Sequence, residues 1–189
     1  VLIFEDAALH CQNPDLYEGI WLALAQTVLE RVDVTLVLTD MFDDIPEEKI
    51  MGIPPDAFRF EALYPSPRTG GQRSHNQAIR DAAATLSRTP GLKGRVVMLD
   101  LRQRMDAFKA ALGESFGVSP ITPEGIHPNV WGEALMVREF LRAAGLASLV
   151  PRQQAYLALL ADNAGRLAQP RKDIDPAAAR TFIDAWLAP

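Results

Sequence analysis

Cysteine is almost missing from this chain: Cys11 stands alone among 189 residues, so no disulfide can close within it and a thiolate metal cluster has no ligand set. No apolar run is long enough to cross a bilayer, and no signal-peptide pattern is present. Basic runs are missing too. With a net charge of −5, this argues against nucleic acid or an acidic membrane surface as the main partner. There is no internal repeat and no low-complexity tract. What is present is a globular composition, 48% hydrophobic and 23% charged, on a chain of single-domain length. Small molecules and neutral polymers remain as partners.

Strand-like and helix-like patterns alternate along the chain. Val1 to Phe4 reads as a buried strand, and Asp15 to Arg31 as a helix with Leu16, Ile20, Trp21, Leu24 and Val28 at helical spacing. Val34 to Thr39 is β-branched and apolar on both faces, as a central parallel strand is. Residues 43 to 73 form a long irregular passage punctuated by Pro46, Pro54, Pro55, Pro65, Pro67, Gly70 and Gly71. Ser74 to Ser87 reads as a helix, Arg95 to Asp100 as a buried strand, and Met105 to Leu112 as a helix. The alternation predicts an α/β fold, a parallel sheet with helices on both faces.

The segment Glu124-Gly125-Ile126-His127-Pro128-Asn129 sets an acid three residues before a histidine in a turn. A carboxylate bonded to one ring nitrogen orients an imidazole and stabilises its protonated form, which frees the other nitrogen to act as a base. Pro128 keeps His127 out of the helical region, and Trp131 to Arg142 then reads as a packed helix with Leu135, Phe140 and Leu141 near one face. The competing reading is a helix-capping loop whose histidine serves local backbone groups.

Glu-Gly-Ile-His-Pro-Asn followed by Gly132 resembles the last block of the SGNH, or GDSL, hydrolases, usually Asp-Gly-x-His-Pro with a glycine four residues after the proline. Glu124 stands where that family has aspartate. Ser74-His75-Asn76 resembles the family's Tyr-Asn helix start, and Val96 to Asp100 its strand ending in Val-Asp-Leu. The resemblance covers roughly residues 1 to 146 and implies a three-layer α/β/α, flavodoxin-like fold with serine-dependent acyl chemistry. In one register residues 1 to 6 and 34 to 39 are the third and fourth strands. The sheet is then incomplete at the N-terminus of this chain, the Gly-Asp-Ser block lies upstream of Val1, and an N-terminal segment or partner chain completes the sheet. In the other, Phe4-Glu5-Asp6-Ala7 replaces Phe-Gly-Asp-Ser, and Ala7 occupies the nucleophile position with no hydroxyl to attack. The family's oxyanion asparagine is not evident; Asn13 is the nearest amide, with a turn-forming role before Pro14 as the alternative.

Other residues carry weaker signals. His10 and Cys11 are adjacent, but neighbours on a strand point to opposite faces. Asp40, Asp43 and Asp44 follow a strand and read as solvated loop carboxylates, with a hard-cation site as the alternative. Thr69-Gly-Gly-Gln-Arg-Ser74 reads as a flexible turn, with an anion cradle as the alternative. Residues 147 to 189 read as a helical extension: Pro151 to Leu167 is amphipathic, and Asp175-Pro176 caps and starts a last helix. Leu157, Leu160, Ala161 and Ala164 fit either a core or an interface.

Together these readings lead to an SGNH-like domain over 1–146 with a helical extension over 147–189. His127 is the general base and Glu124 its orienter; no nucleophile is recognised in this chain, and no metal or cofactor is expected. The substrate is a small-molecule or glycan acyl ester, hydrolysed or transferred. The alternative is a non-catalytic SGNH-like domain that binds a glycan or acylated ligand, or assists a partner protein.

Overall fold

The computed structural model describes residues 13–42, 60–122, 127–146, 149–167 and 173–187. It is a mixed α/β protein, mostly helical, and it divides into two compact units, 1–100 and 101–189. The boundary expected at residue 146 falls inside the second unit. Among the described residues, no helix is long and apolar enough to cross a membrane.

In the first unit, helix α1 (Pro14–Arg31) leads into strand β1 (Thr35–Thr39), a short hairpin of β2 (Tyr64–Ser66) and β3 (Gly71–Arg73), helix α2 (His75–Arg88) and strand β4 (Arg95–Leu99). Asn13 starts α1 by accepting hydrogen bonds from the amides of Asp15 and Leu16, with Pro14 in the first turn where its missing N–H costs nothing. β1 and β4 pair in parallel from Thr35 opposite Arg95 to Thr39 opposite Leu99, and α2 lies between them in the chain. A parallel pair requires such a crossover, because a hairpin turn cannot join strands that run the same way. Leu29, Leu38, Ala78, Ile79, Ala83 and Leu86 form the core, with Trp21, Leu36, Val96 and Met98 packed against it.

The end of α1 is fastened to the start of β4. The amides of Lys93 and Gly94 both donate to the Leu29 carbonyl, at 2.8 and 3.2 Å. A Cβ at Gly94 would stand 2.5 Å from the Val34 carbonyl oxygen and 2.6 Å from a Leu29 methyl, so the approach admits only glycine.

The helix expected from the spacing of α1 is present, but that spacing does not mark its buried face, and one expectation for this unit needs correction. The stripe Leu16, Leu24 and Val28 is not the buried face of α1: these residues are 55%, 43% and 40% exposed, while Pro14, Tyr17, Glu18, Ala25 and Leu29 are buried. Counting apolar residues misses this face because its centre is a glutamate, made burial-competent by arginines from elsewhere in the chain. The passage up to residue 73 is not wholly irregular, since it ends in the antiparallel β2–β3 hairpin. The expected strand at residues 1–6 lies outside the described residues.

The second unit runs through α3 (Leu101–Phe116), α4 (Val130–Ala144), α5 (Val150–Asp162), the short α6 (Ala164–Leu167) and α7 (Pro176–Trp186). Asp175 caps α7 through the amides of Ala177 and Ala178, with Pro176 following, as the sequence indicates. Phe182 of α7 meets Phe108 and Phe116 of α3 and Trp131 of α4, with ring centres 5.5, 5.4 and 6.0 Å away. Leu157, Leu160, Ala161 and Ala164 are buried within the chain, which settles them as core. Residues 173–187 are thus structural partners of α3 and α4.

Candidate functional site

The loop that carries His127 is held from both ends. After α3, Ile121 and Pro128 form an antiparallel bridge, and the amide and hydroxyl of Thr122 both donate to the His127 carbonyl, at 2.8 and 2.9 Å. The Asn129 amide donates to the Pro120 carbonyl at 2.9 Å. Its side chain works in two directions: Nδ2 donates to the Ser119 carbonyl at 2.6 Å, while Oδ1 accepts from the amides of Trp131 and Gly132 and so caps α4. Such a cap contributes about 1 kcal/mol. This one contributes position as well, since it welds the helix start to the strand-like segment before it.

Gly132 completes the lock. A Cβ there would lie 2.4 Å from the Pro120 carbonyl oxygen and 2.8 Å from the Pro128 ring, closer than any side chain allows. The glycine singled out in the motif therefore has a local physical cause: α4 begins hard against residues 120 and 128. One residue on, Trp131 is fully buried and stacks near Phe116, with ring centres 6.1 Å apart. His127 itself is exposed, on a main chain whose carbonyl is doubly bonded and whose successor is a proline. The arrangement presents an imidazole to solvent from a fixed backbone. Glu124 lies outside the described residues, as do Ala7, His10, Cys11, Asp43 and Asp44.

At the end of β1, Asp40 is completely buried and ion-paired with Arg80, which corrects its reading as a solvated loop carboxylate. The guanidinium also faces Glu61 at 3.7 Å and Asp100 at 3.8 Å, so the β1 and β4 ends share one cation. Among the described residues, no group of three or more His, Cys, Asp or Glu side chains is placed to hold a metal ion. Asn76 belongs to this cluster. Its amide accepts from the Met41 N–H at 2.9 Å and donates to the Met41 carbonyl at 2.7 Å, which pins the turn after β1. His75 is buried edge-on to Tyr17 and Tyr64, with ring centres 5.0 and 5.3 Å away, and plays a packing role.

Arg73 corrects the reading of its segment, since it anchors a hairpin rather than ending a flexible turn or cradling an anion. It turns inward to Glu18 at 2.6 Å, Asp15 at 3.0 Å and Asp81 at 2.5 Å, and Arg68 reaches the other Glu18 oxygen at 2.5 Å. Burial opposes its charge most strongly. Hydrogen bonds to Glu18 and Asp15 and the charges of Glu18 and Asp81 outweigh that effect and raise its pKa. The Ser66 hydroxyl, donating to Asp15 at 2.7 Å, leads the effects that hold the Asp15 carboxyl below its ordinary 3.8, against some desolvation; the Arg68 amide and the Arg73 guanidinium assist.

Sequence reading did not find the roles of Thr122, Ser119 and Asn129. Only Asn129 carried a usable signal, an amide residue directly before a helix. No family model, no curated protein and no solved structure matches the chain.

Proposed function

We propose that this chain carries the base-bearing part of an SGNH-type acyl hydrolase or acyltransferase, with His127 as general base and Glu124 as its orienter. The serine nucleophile comes from outside these 189 residues. The observation that carries the reading is the loop geometry: an exposed histidine on a backbone fixed by Thr122, Asn129 and the Gly132 contact. Catalysis by a positioned base needs such a fixed mounting, because misplacement by about 1 Å can cost on the order of a hundredfold in rate. A loop that only caps α4 would need Asn129 but not the second clamp at the His127 carbonyl.

The parallel β1–α2–β4 unit supports the register in which these strands are the fourth and fifth of a three-layer α/β/α sandwich. In the mechanism, His127 takes the serine proton as the hydroxyl attacks an ester carbonyl, then returns it to the leaving alcohol. The acyl-enzyme passes its acyl group to water or to another hydroxyl. Glu124 holds the imidazole and stabilises its protonated form. The substrate is a small-molecule or glycan acyl ester.

Aryl acetate turnover by the full-length protein tests this. His127→Ala should lower it on the order of 10⁴- to 10⁶-fold at an unchanged thermal midpoint, and Glu124→Gln should lower it less. Wild-type turnover by purified His127→Ala would overturn the mechanism. A second reading, a non-catalytic domain that binds glycan or acylated ligands, draws on the lack of a recognisable Gly-Asp-Ser block in this sequence. It predicts ligand binding by wild type and His127→Ala alike, with no turnover by either.

A further inference from the structure

We propose that the outward face of α1, with the basic end of the first unit, docks an amphipathic helix of a partner protein, laid antiparallel to α1 and acidic in its first turn. Leu16, Ile20, Leu24 and Val28 recur at every fourth residue, so they form one ridge along α1 over roughly 18 Å. Leu16, Leu24 and Val28 are exposed and Ile20 is half-buried, while the opposite face carries the core residues Tyr17, Ala25 and Leu29. A helix that is apolar on both faces belongs between two partners.

The ridge ends among cations. Both helices of the unit finish where its parallel strands begin, since α1 leads into β1 and α2 into β4. Arg31 stands in the last turn of α1 and Arg88 in that of α2. Lys93, whose amide bonds the Leu29 carbonyl, and Arg95, paired with Thr35 at the start of β4, complete the set. All four are exposed, and among the described residues none is ion-paired with an acid; Arg95 Nε donates to the Thr35 hydroxyl at 2.9 Å. Val32 and Val34 carry the exposed apolar surface into the same end, with Asp33 between them and Glu30 bonded to Gln26. Cations suit the C-terminus of a helix, which accounts for Arg31 and Arg88 but not for Lys93 and Arg95.

The charges choose the occupant. An antiparallel helix brings its N-terminus to this end, where acidic residues complement both its own dipole and the four cations, and its apolar stripe covers the ridge. A second copy of α1 does not fit, because Asp15, the acid of its first turn, is already bonded to Ser66 and Arg73. A uniformly anionic membrane would face Asp33 and Glu30 along with the cations, whereas a helix sets its acids one by one. The surface lies wholly within the first unit, so the proposal does not rest on the His127 reading.

A fluorescein-labelled peptide of about 18 residues, with leucine at every third or fourth position and glutamates in its first turn, serves as the probe. Titrated with the 189-residue chain, its anisotropy should rise to saturation and the affinity should fall as salt is added. A peptide of the same composition with the glutamates moved to the last turn should bind roughly tenfold more weakly. Leu24→Gln and the Arg88→Glu/Lys93→Glu double variant should each weaken binding of the first peptide by a similar factor. These positions are exposed, so the thermal midpoint should stay at the wild-type value, which separates lost docking from lost folding. Equal affinity for the two peptides, or full affinity in Leu24→Gln, would overturn the site. A dimer in sedimentation that Leu24→Gln dissolves would give the face to a second copy, and capture by phosphatidylserine vesicles without peptide binding would give it to a membrane; either overturns the proposal.

Discussion

Where the first unit buries Glu18 between Arg73 and Arg68, the second buries Phe182 among Phe108, Phe116, Trp131 and Trp186. The two solutions fail differently. An ionic centre is directional and collective, so removing one partner strands the others in a poor solvent for charge. A ring cluster is cohesive without strict geometry, so truncation costs what the missing surface and the remaining cavity dictate.

The comparison is tested most strongly at Arg73. Arg73→Ala leaves Glu18 buried with only Arg68 and should cost about 3–5 kcal/mol in urea melts; a loss under 1 kcal/mol would put the charged centre on a par with a surface pair. Phe182→Ala should cost about 3–4 kcal/mol and quench or shift the fluorescence of Trp131 and Trp186. A loss under 1 kcal/mol would mean that the rings are not the cohesive centre of this unit. Gly132→Ala should cost about 1–3 kcal/mol, since Pro120 and Pro128 must move apart, and in full-length protein it should lower ester turnover beyond what its stability loss explains.

The smallest effect separates the units by pH. A carboxyl held below its ordinary value contributes stability that is fully present above that value and lost as pH falls through the folded one. For Asp15, with its ordinary value of 3.8, the loss sets in below about pH 5. Asp15→Asn should flatten the acid limb of the thermal midpoint between about pH 5 and pH 2. An acid limb identical to wild type would remove Asp15 from the account.

The same contrast explains what could be read in advance. Helix α1 was legible from its spacing, but its buried face was not. Glu18 belongs inside only because Arg68 and Arg73, more than forty residues later in the chain, arrive to pair with it. The β2–β3 hairpin escaped notice for a related reason, since Pro65 and Gly71 weaken any strand signal and long-range bonds from Ser66 and Arg73 to Asp15 hold it in place. The aromatic unit was easier, because the spacing of its helices and the cap at Asp175 are local. At the candidate site, Pro128, Asn129 and Gly132 announced a turn into a helix. The clamp from Thr122 and Ser119 left no trace, as it runs through main-chain carbonyls that any residue possesses.

That clamp also has a meaning in time. The Thr122 and Asn129 amides are both bonded across the loop, to residues 127 and 120, while α4 begins on the Asn129 side chain and carbonyl. The loop ends therefore cannot open without breaking the first turn of α4. Their amide hydrogens should exchange with solvent in step with that turn, so His127 would be carried by a segment that moves on the slow schedule of a helix rather than the fast one of a surface loop.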